Sequence, residues 1–138
     1  MLTPKKVKHR KWHKGRSRTR TMETRGTRVV FGSHGLQALG MAWMTGNQLE
    51  AVRRVLTRYT KKGGRVWIRI FTDKPVTKKP PEVTMGGGKG AVDHYVFAVK
   101  PGRVLFEIGG VGPAAAREAL TKAKYKLPVK SRVIAKEE

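Results

Sequence analysis

Apolar positions are sparse over the first 28 residues of this chain and become organised at Val29. Val29-Val30-Phe31 and Leu36 to Met41 form two short apolar runs around Gly32-Ser33-His34-Gly35, a pattern that predicts a strand, a loop and a second strand. Thr45 stands three residues before Gln48, the spacing at which a hydroxyl and an amide side chain satisfy each other's free backbone donors at a helix start. Leu49, Val52, Leu56 and Tyr59 then recur every three or four residues, giving one apolar stripe on a helix that Gly63-Gly64 ends. From Arg65 to Phe71 the period falls to two. Val66, Ile68 and Ile70 alternate with Trp67, Arg69 and Phe71, as in a strand that commits one face to the core.

Two further strands are predicted at Tyr95 to Val99 and Val104 to Ile108. Between them, Lys100-Pro101-Gly102-Arg103 places Pro and Gly where a type II turn needs a preset φ and a positive φ, which predicts an antiparallel hairpin. Gly112-Pro113 opens a second helix with Ala115, Ala119, Leu120 and Ala123 as its packing face, Leu127-Pro128 stops it, and Val129 to Ala135 reads as a last strand. The stretch from Thr72 to His94 fits none of these elements. Its prolines at one end and Met85-Gly86-Gly87-Gly88-Lys89-Gly90 at the other predict a long projecting loop. The expected fold is α+β, with two helices packed on a mostly antiparallel sheet. Residues 1–28 are expected to be a basic, unfolded extension with few contacts to the core, and residues 29–138 one globular α+β domain carrying the loop 72–94.

Charge adds a function class to that outline. Thirty-one Lys and Arg oppose nine Asp and Glu, a net charge of +22, so strong and salt-sensitive attraction to a phosphate backbone is expected. Lys5, Lys6, Lys8, Arg10, Lys11, Lys14, Arg16 and Arg18 crowd the extension, which lacks the apolar surface to offset the entropy of ordering. Arg53, Arg54, Arg58, Lys61 and Lys62 line the polar side of the first helix, and Lys126 and Lys130 bracket the end of the second. A basic helix face is also an ordinary solvated face, and the neighbouring extension is what turns the reading toward nucleic acid. The chain has no cysteine, which excludes disulfides, thiolate metal sites and cysteine nucleophiles. With no secretory signal and no apolar run long enough to span a bilayer, an intracellular protein without a membrane partner is expected.

Little in the sequence points to catalysis. Gly86 to Gly90 can offer backbone amides and Lys89 to a phosphate, but the spacing is not that of a P-loop, and Gly90 stands where a magnesium-binding hydroxyl is needed. His9 and His13 share helical spacing without a carboxylate nearby, and His34 and His94 read as a turn residue and a strand-start residue, so no metal site is expected. Asp73 and Asp93, at opposite ends of the loop, are better read as salt-bridge partners than as an acid-base pair. Trp12 and Trp43 are candidates for stacking on unpaired bases, whereas Trp67 reads as core or interface. No catalytic residue, metal or cofactor is expected.

Several blocks in order carry a resemblance that covers nearly the full length. They are Met1-Leu2-Thr3-Pro4-Lys5-Lys6, His13-Lys14-Gly15-Arg16, Phe31-Gly32-Ser33 with Gly35-Leu36, Gln48-Leu49-Glu50-Ala51, Trp67-Ile68-Arg69-Ile70-Phe71 with Asp73-Lys74-Pro75, Val99-Lys100-Pro101-Gly102-Arg103-Val104-Leu105-Phe106-Glu107, and Lys126-Leu127-Pro128-Val129-Lys130. Together they resemble the bacterial-type large-subunit ribosomal protein sixteen family, whose archaeal and eukaryotic counterpart is L-ten-e. The resemblance implies a structural, non-enzymatic constituent of bacterial, cytoplasmic ribosomes, with an organellar ribosome as the alternative. Its implied partners are large-subunit rRNA, A-site tRNA and neighbouring ribosomal proteins, and the chain would act as a monomer within the particle. It further implies that the extension and the loop, with Lys78, Lys79, Met85, Gly86, Gly87, Gly88, Lys89 and Gly90, run toward the peptidyl transferase centre. Thr84 and Gly87 depart from the family's usual Arg and Lys or Ser in the loop, and Thr72 stands where Pro is usual. A free-standing RNA chaperone or nucleic-acid-compacting protein is the alternative that charge alone permits.

Overall fold

A computed structural model describes residues 2–15, 22–61 and 63–137. Helix α1 (Gly46–Thr60) starts as the Thr45 and Gln48 spacing predicts: the Gln48 amide N–H donates to Thr45 Oγ1 at 3.3 Å, and the Thr45 N–H donates to Gln48 Oε1 at 2.9 Å. Leu49, Val52 and Leu56 are fully buried on its inner face, and Tyr59 packs partly against the same core. Lys61 ends the helix with φ +45°, its N–H donating to the Thr57 carbonyl at 3.1 Å. Helix α2 (Pro113–Lys124) has proline in its first turn and buries Ala116, Ala119, Leu120 and Ala123. Ala116 replaces the expected Ala115, which is exposed, because the buried stripe is one position further round the helix.

Among the described residues, seven strands form two antiparallel sheets. Strands β1 (His34–Ala38), β3 (Arg65–Ile68), β6 (Val104–Gly109) and β7 (Ser131–Ala135) make the larger, in the order β3-β6-β1-β7. Strands β2 (Ala42–Thr45), β4 (Lys74–Lys78) and β5 (Ala91–Val99) make the smaller, in the order β2-β5-β4. Both helices pack on the four-stranded sheet and on each other, closing a core of Leu36, Phe106 and Ile108 against Leu49, Val52, Leu56 and Leu120. The architecture is α+β, as expected, with one sheet covered by helices and the other set beside it.

Four expectations are corrected. The turn Lys100 to Arg103 forms, with Gly102 at φ +98° and the Arg103 N–H on the Lys100 carbonyl, yet β5 and β6 do not pair. β6 lies between β1 and β3, and β5 between β2 and β4, so the turn carries the chain from one sheet to the other. The apolar run from Leu36 to Met41 likewise divides, because β1 ends at Ala38 and β2 starts in the other sheet at Ala42. Val29 to Phe31 is not a strand: the N–H groups of Val30 and Phe31 donate to the Glu107 carboxylate instead of to a ladder. Finally, the loop from Thr72 to His94 is largely a hairpin, with β4 paired to β5 through a register shift between Val76 and Thr77. Pro75 is tolerated there because β4 is an edge strand, where a missing N–H costs no ladder bond on the open side.

The extension contains no helix or strand among its described residues, but its expected scarcity of core contacts is also corrected. Leu2 packs against the core and its carbonyl accepts from Thr72 Oγ1. Further on, the Glu23 N–H donates to the Pro101 carbonyl and the Gly26 carbonyl accepts from the Val104 N–H, both at 2.8 Å. Val29 lies over Gly35, where an added Cβ would come within 3.1 Å of it and 2.8 Å of the Phe106 carbonyl. Residues 22–31 therefore run along β1 and β6 before the chain enters the sheet.

Candidate nucleic-acid interface

The extension and the hairpin arm meet through lysines. Lys11 Nζ donates to the Lys89 carbonyl at 3.0 Å, Lys89 Nζ returns a bond to the Trp12 carbonyl, and Lys74 Nζ reaches the Lys14 carbonyl at 2.8 Å. Each contact uses a backbone carbonyl as acceptor, so no cation is neutralised by it. Lys5, Lys6, Lys8, Arg10, Lys11 and Lys14 are all exposed. The expected contacts at Arg16, Arg18 and Lys62 lie outside the described residues. Trp12 is 40 % exposed, whereas Trp43 carries the Lys74 ammonium 4.4 Å from its ring centroid.

The arm tip is built from backbone. Gly86, Gly87 and Gly88 all have positive φ, at 103°, 76° and 102°, with no atom of the described residues within 4 Å of where a Cβ would stand. Nothing in the tip's packing therefore demands small residues; the left-handed backbone does. Lys79 Nζ donates to the Gly86 carbonyl at 2.6 Å, folding the tip back, and Gly90 passes so close that an added Cβ would meet Lys79 Cγ at 2.9 Å. Lys78 and Lys89 are exposed, and Met85 is 94 % exposed.

The face of α1 is less free than its sequence implies. Glu50 lies one turn before Arg53 and accepts from both Arg53 Nε, at 2.9 Å, and Arg53 Nη2, while Arg54 Nε lies 3.4 Å from the same carboxylate. The Arg53 hydrogen bonds are the main cause that holds the Glu50 carboxyl down at about 2. Arg53 is correspondingly raised by the same hydrogen bond. Arg58 and Lys61, at the end of this helix, are exposed, with no carboxylate partner among the described residues. At α2, Lys122 pairs with Glu118 at 3.5 Å and lies 5.1 Å from the Tyr59 ring centroid, and its pKa is raised chiefly by a hydrogen bond to Tyr59. Lys126 and Lys130 are exposed beyond it.

One polar cluster escaped the sequence reading. Glu107, fully buried in β6, accepts from the N–H groups of Val30 and Phe31 and pairs with Arg69, whose Nη1 also donates to the Arg28 carbonyl at 3.1 Å. Nearby, Arg103 and Glu23 approach to 3.8 Å, and Arg103 Nη1 donates to the Arg25 carbonyl. These groups fasten residues 23–31 to the body and set where the extension departs. The available signal was a single carboxylate in the otherwise apolar run Val104 to Gly109.

Two of the histidines have side-chain partners next to them in the chain. His34 is a buried residue of β1, not a turn residue, with Nδ1 3.0 Å from Ser33 Oγ. His94 lies within β5, and its Nδ1 is 2.7 Å from Asp93 Oδ2, so Asp93 is engaged by the adjacent imidazole. His9 and His13 are exposed. Among the described residues no helix is long and apolar enough to cross a membrane.

A helix-covered sheet, a second sheet that extends into a glycine-tipped hairpin, and a basic N-terminal segment laid against that hairpin define a structural α+β protein with its positive charge carried outward. The sequence matches the family described as Ribosomal protein L16p/L10e over residues 4–134, nearly the whole chain, and the chain belongs to that family. The family is a structural one, and membership gives the chain a structural role in the large ribosomal subunit.

Proposed function

We propose that this protein binds large-subunit rRNA through its extension, the exposed cations of α1 and the lysines beyond α2. The arm, with Lys78, Lys79 and Lys89 behind a side-chain-poor tip, then helps to form the A-site tRNA region near the peptidyl transferase centre. Residues 1–28 act as the RNA-seeking extension and residues 29–138 as the body that positions it, within cytoplasmic ribosomes and beside neighbouring ribosomal proteins.

The observation that carries this reading is the mutual bonding of Lys11 with the Lys89 carbonyl and of Lys89 with the Trp12 carbonyl. It brings two cationic segments together without neutralising either, an arrangement that favours a dense phosphate surface. Glycines at the tip allow the backbone to approach such a surface more closely than side chains would.

Sedimentation through high salt tests the first half of the proposal. A protein seated among rRNA helices stays with large subunits through the wash, whereas a binder held by charge alone dissociates and redistributes onto bulk RNA or DNA. The second outcome would assign the chain to the RNA-chaperone class instead.

A further inference from the structure

We infer that the turn after α2 holds a stacking site for an unpaired RNA base, with Tyr125 as the platform and Lys124, Lys126 and Lys130 as the phosphate contacts. This inference rests on the rRNA-binding reading but concerns a different surface from the extension and the arm. The arm belongs to the three-stranded sheet, whereas this turn leads into β7, an edge strand of the four-stranded one.

Tyr125 caps α2 and is 76 % exposed, unusual for a ring on a turn that is otherwise well held. Its backbone is fixed by the Lys126 N–H on the Ala123 carbonyl at 3.0 Å and the Leu127 N–H on the Lys124 carbonyl at 3.2 Å. The ring therefore presents its area at little further cost in backbone entropy. Beside it runs a groove of about 510 Å³ walled by Leu39, Leu127, Pro128 and Val129, with Leu39 itself 50 % exposed. Lys124 and Lys130 line the groove and Lys126 adjoins it. No carboxylate lines it, and none pairs with these three lysines among the described residues.

The chemistry selects the occupant. An exposed phenol beside exposed leucine favours a flat apolar partner, and two lysines lining the groove with a third next to it in the chain favour an anion; a nucleotide supplies both in one unit. An acidic peptide would answer the charge but offer no plane to the ring. A paired base would keep its face inside the duplex, so the base must be unpaired. Lys124 Nζ already lies over one face of the Tyr125 ring, 5.5 Å from its centroid, so a base would take the other face with this cation at hand for its phosphate.

Cross-linking by the full chain tests this directly, because a site-specific readout is not swamped by the charge of the extension. The probe is a single-stranded RNA carrying 4-thiouridine, compared with a duplex of the same sequence at physiological salt, with cross-linked peptides mapped by mass spectrometry. A cross-link at Tyr125 with the single strand, absent with the duplex, is expected. Tyr125→Ala should weaken single-strand binding roughly tenfold with an unchanged salt slope, and Tyr125→Trp should retain it. Cross-links confined to the extension and arm, or a Tyr125→Ala variant that binds as before, would overturn the stacking site while leaving rRNA binding in place. No RNA bound at all would overturn both. Normal RNA binding by Tyr125→Ala with failed entry into large subunits would assign the groove to a protein neighbour and overturn the RNA assignment.

Discussion

Arg69 Nη1 lies 3.1 Å from Glu107 Oε2, an ion pair whose carboxylate is fully buried and whose guanidinium side chain is 16 % exposed. The same two side chains hold the backbone of Arg28, Val30 and Phe31, so a pair inside the body decides where the basic extension leaves it. Removing the carboxylate would strand a largely buried guanidinium and two amide donors. We therefore expect Glu107→Ala to cost about 3–5 kcal/mol and Glu107→Gln less, since an amide oxygen still accepts from the backbone. Urea unfolding followed by tryptophan fluorescence measures both, and equal losses would mean that charge, not hydrogen-bond acceptance, is what the site requires.

Glu50 restrains the cationic face of α1. Freeing Arg53 and Arg54 by Glu50→Gln should raise affinity for large-subunit rRNA and steepen the dependence of log K on log salt by about one unit or less. Arg58→Gln should change the slope by a similar amount in the opposite sense. Titration of binding against salt decides this, and an unchanged slope for both variants would return the face to ordinary solvent exposure.

The same carboxylate carries a pH signature. Its folded pKa is lowered from 4.5 to about 2, so the contribution of the Glu50 and Arg53 pair is present above the unfolded pKa and is lost as pH falls toward about 2. NMR titration of the Glu50 carboxyl should show a midpoint near the lower value, moving up toward the unperturbed one in Arg53→Gln. A midpoint that ignores the substitution would place the cause elsewhere.

Truncating the inner face of α1 acts on folding and not on RNA. Leu49→Ala or Leu56→Ala should cost about 2–5 kcal/mol, because each side chain is fully buried. Thr45→Ala, which removes one half of the capping box, should cost about 0.5–2 kcal/mol. Chemical denaturation separates the two classes, and the affinity of the folded fraction for RNA should remain that of the parent.

Shortening the arm between Lys79 and Gly90 should leave the body folded, since Gly86, Gly87 and Gly88 carry no side chain to bury and the Gly86 carbonyl is held by Lys79 of the arm itself. Large subunits that incorporate the shortened protein should be slow in A-site tRNA accommodation or peptide-bond formation. A pre-steady-state translation assay on fully occupied subunits provides the measurement. Normal rates would show the tip to be dispensable, and failed incorporation would make it an assembly element.

Local chemistry was legible from residue order alone. The capping box at Thr45 and Gln48, the stripe of Leu49, Val52 and Leu56, the proline start of α2 and the Pro101-Gly102 turn all depend on neighbours within about one turn of chain. So did the excess of positive charge and the glycine-tipped arm. Strand partners were not legible, because a turn specifies that the chain reverses and not which strand receives it. β6 pairs with β1 and β3 across long separations, leaving β5 to β2 and β4. Nor could sequence show that Val30 and Phe31 would give their N–H groups to a carboxylate 77 and 76 residues away. The cations at Arg53 and Arg54 were visible as residue types, whereas their restraint depended on the rotamers that bring Glu50 to both guanidinium groups. Residue order determined the elements and the sign of the surface; only tertiary structure, through long-range competition for backbone donors and strand edges, decided the sheets and the anchoring of the extension.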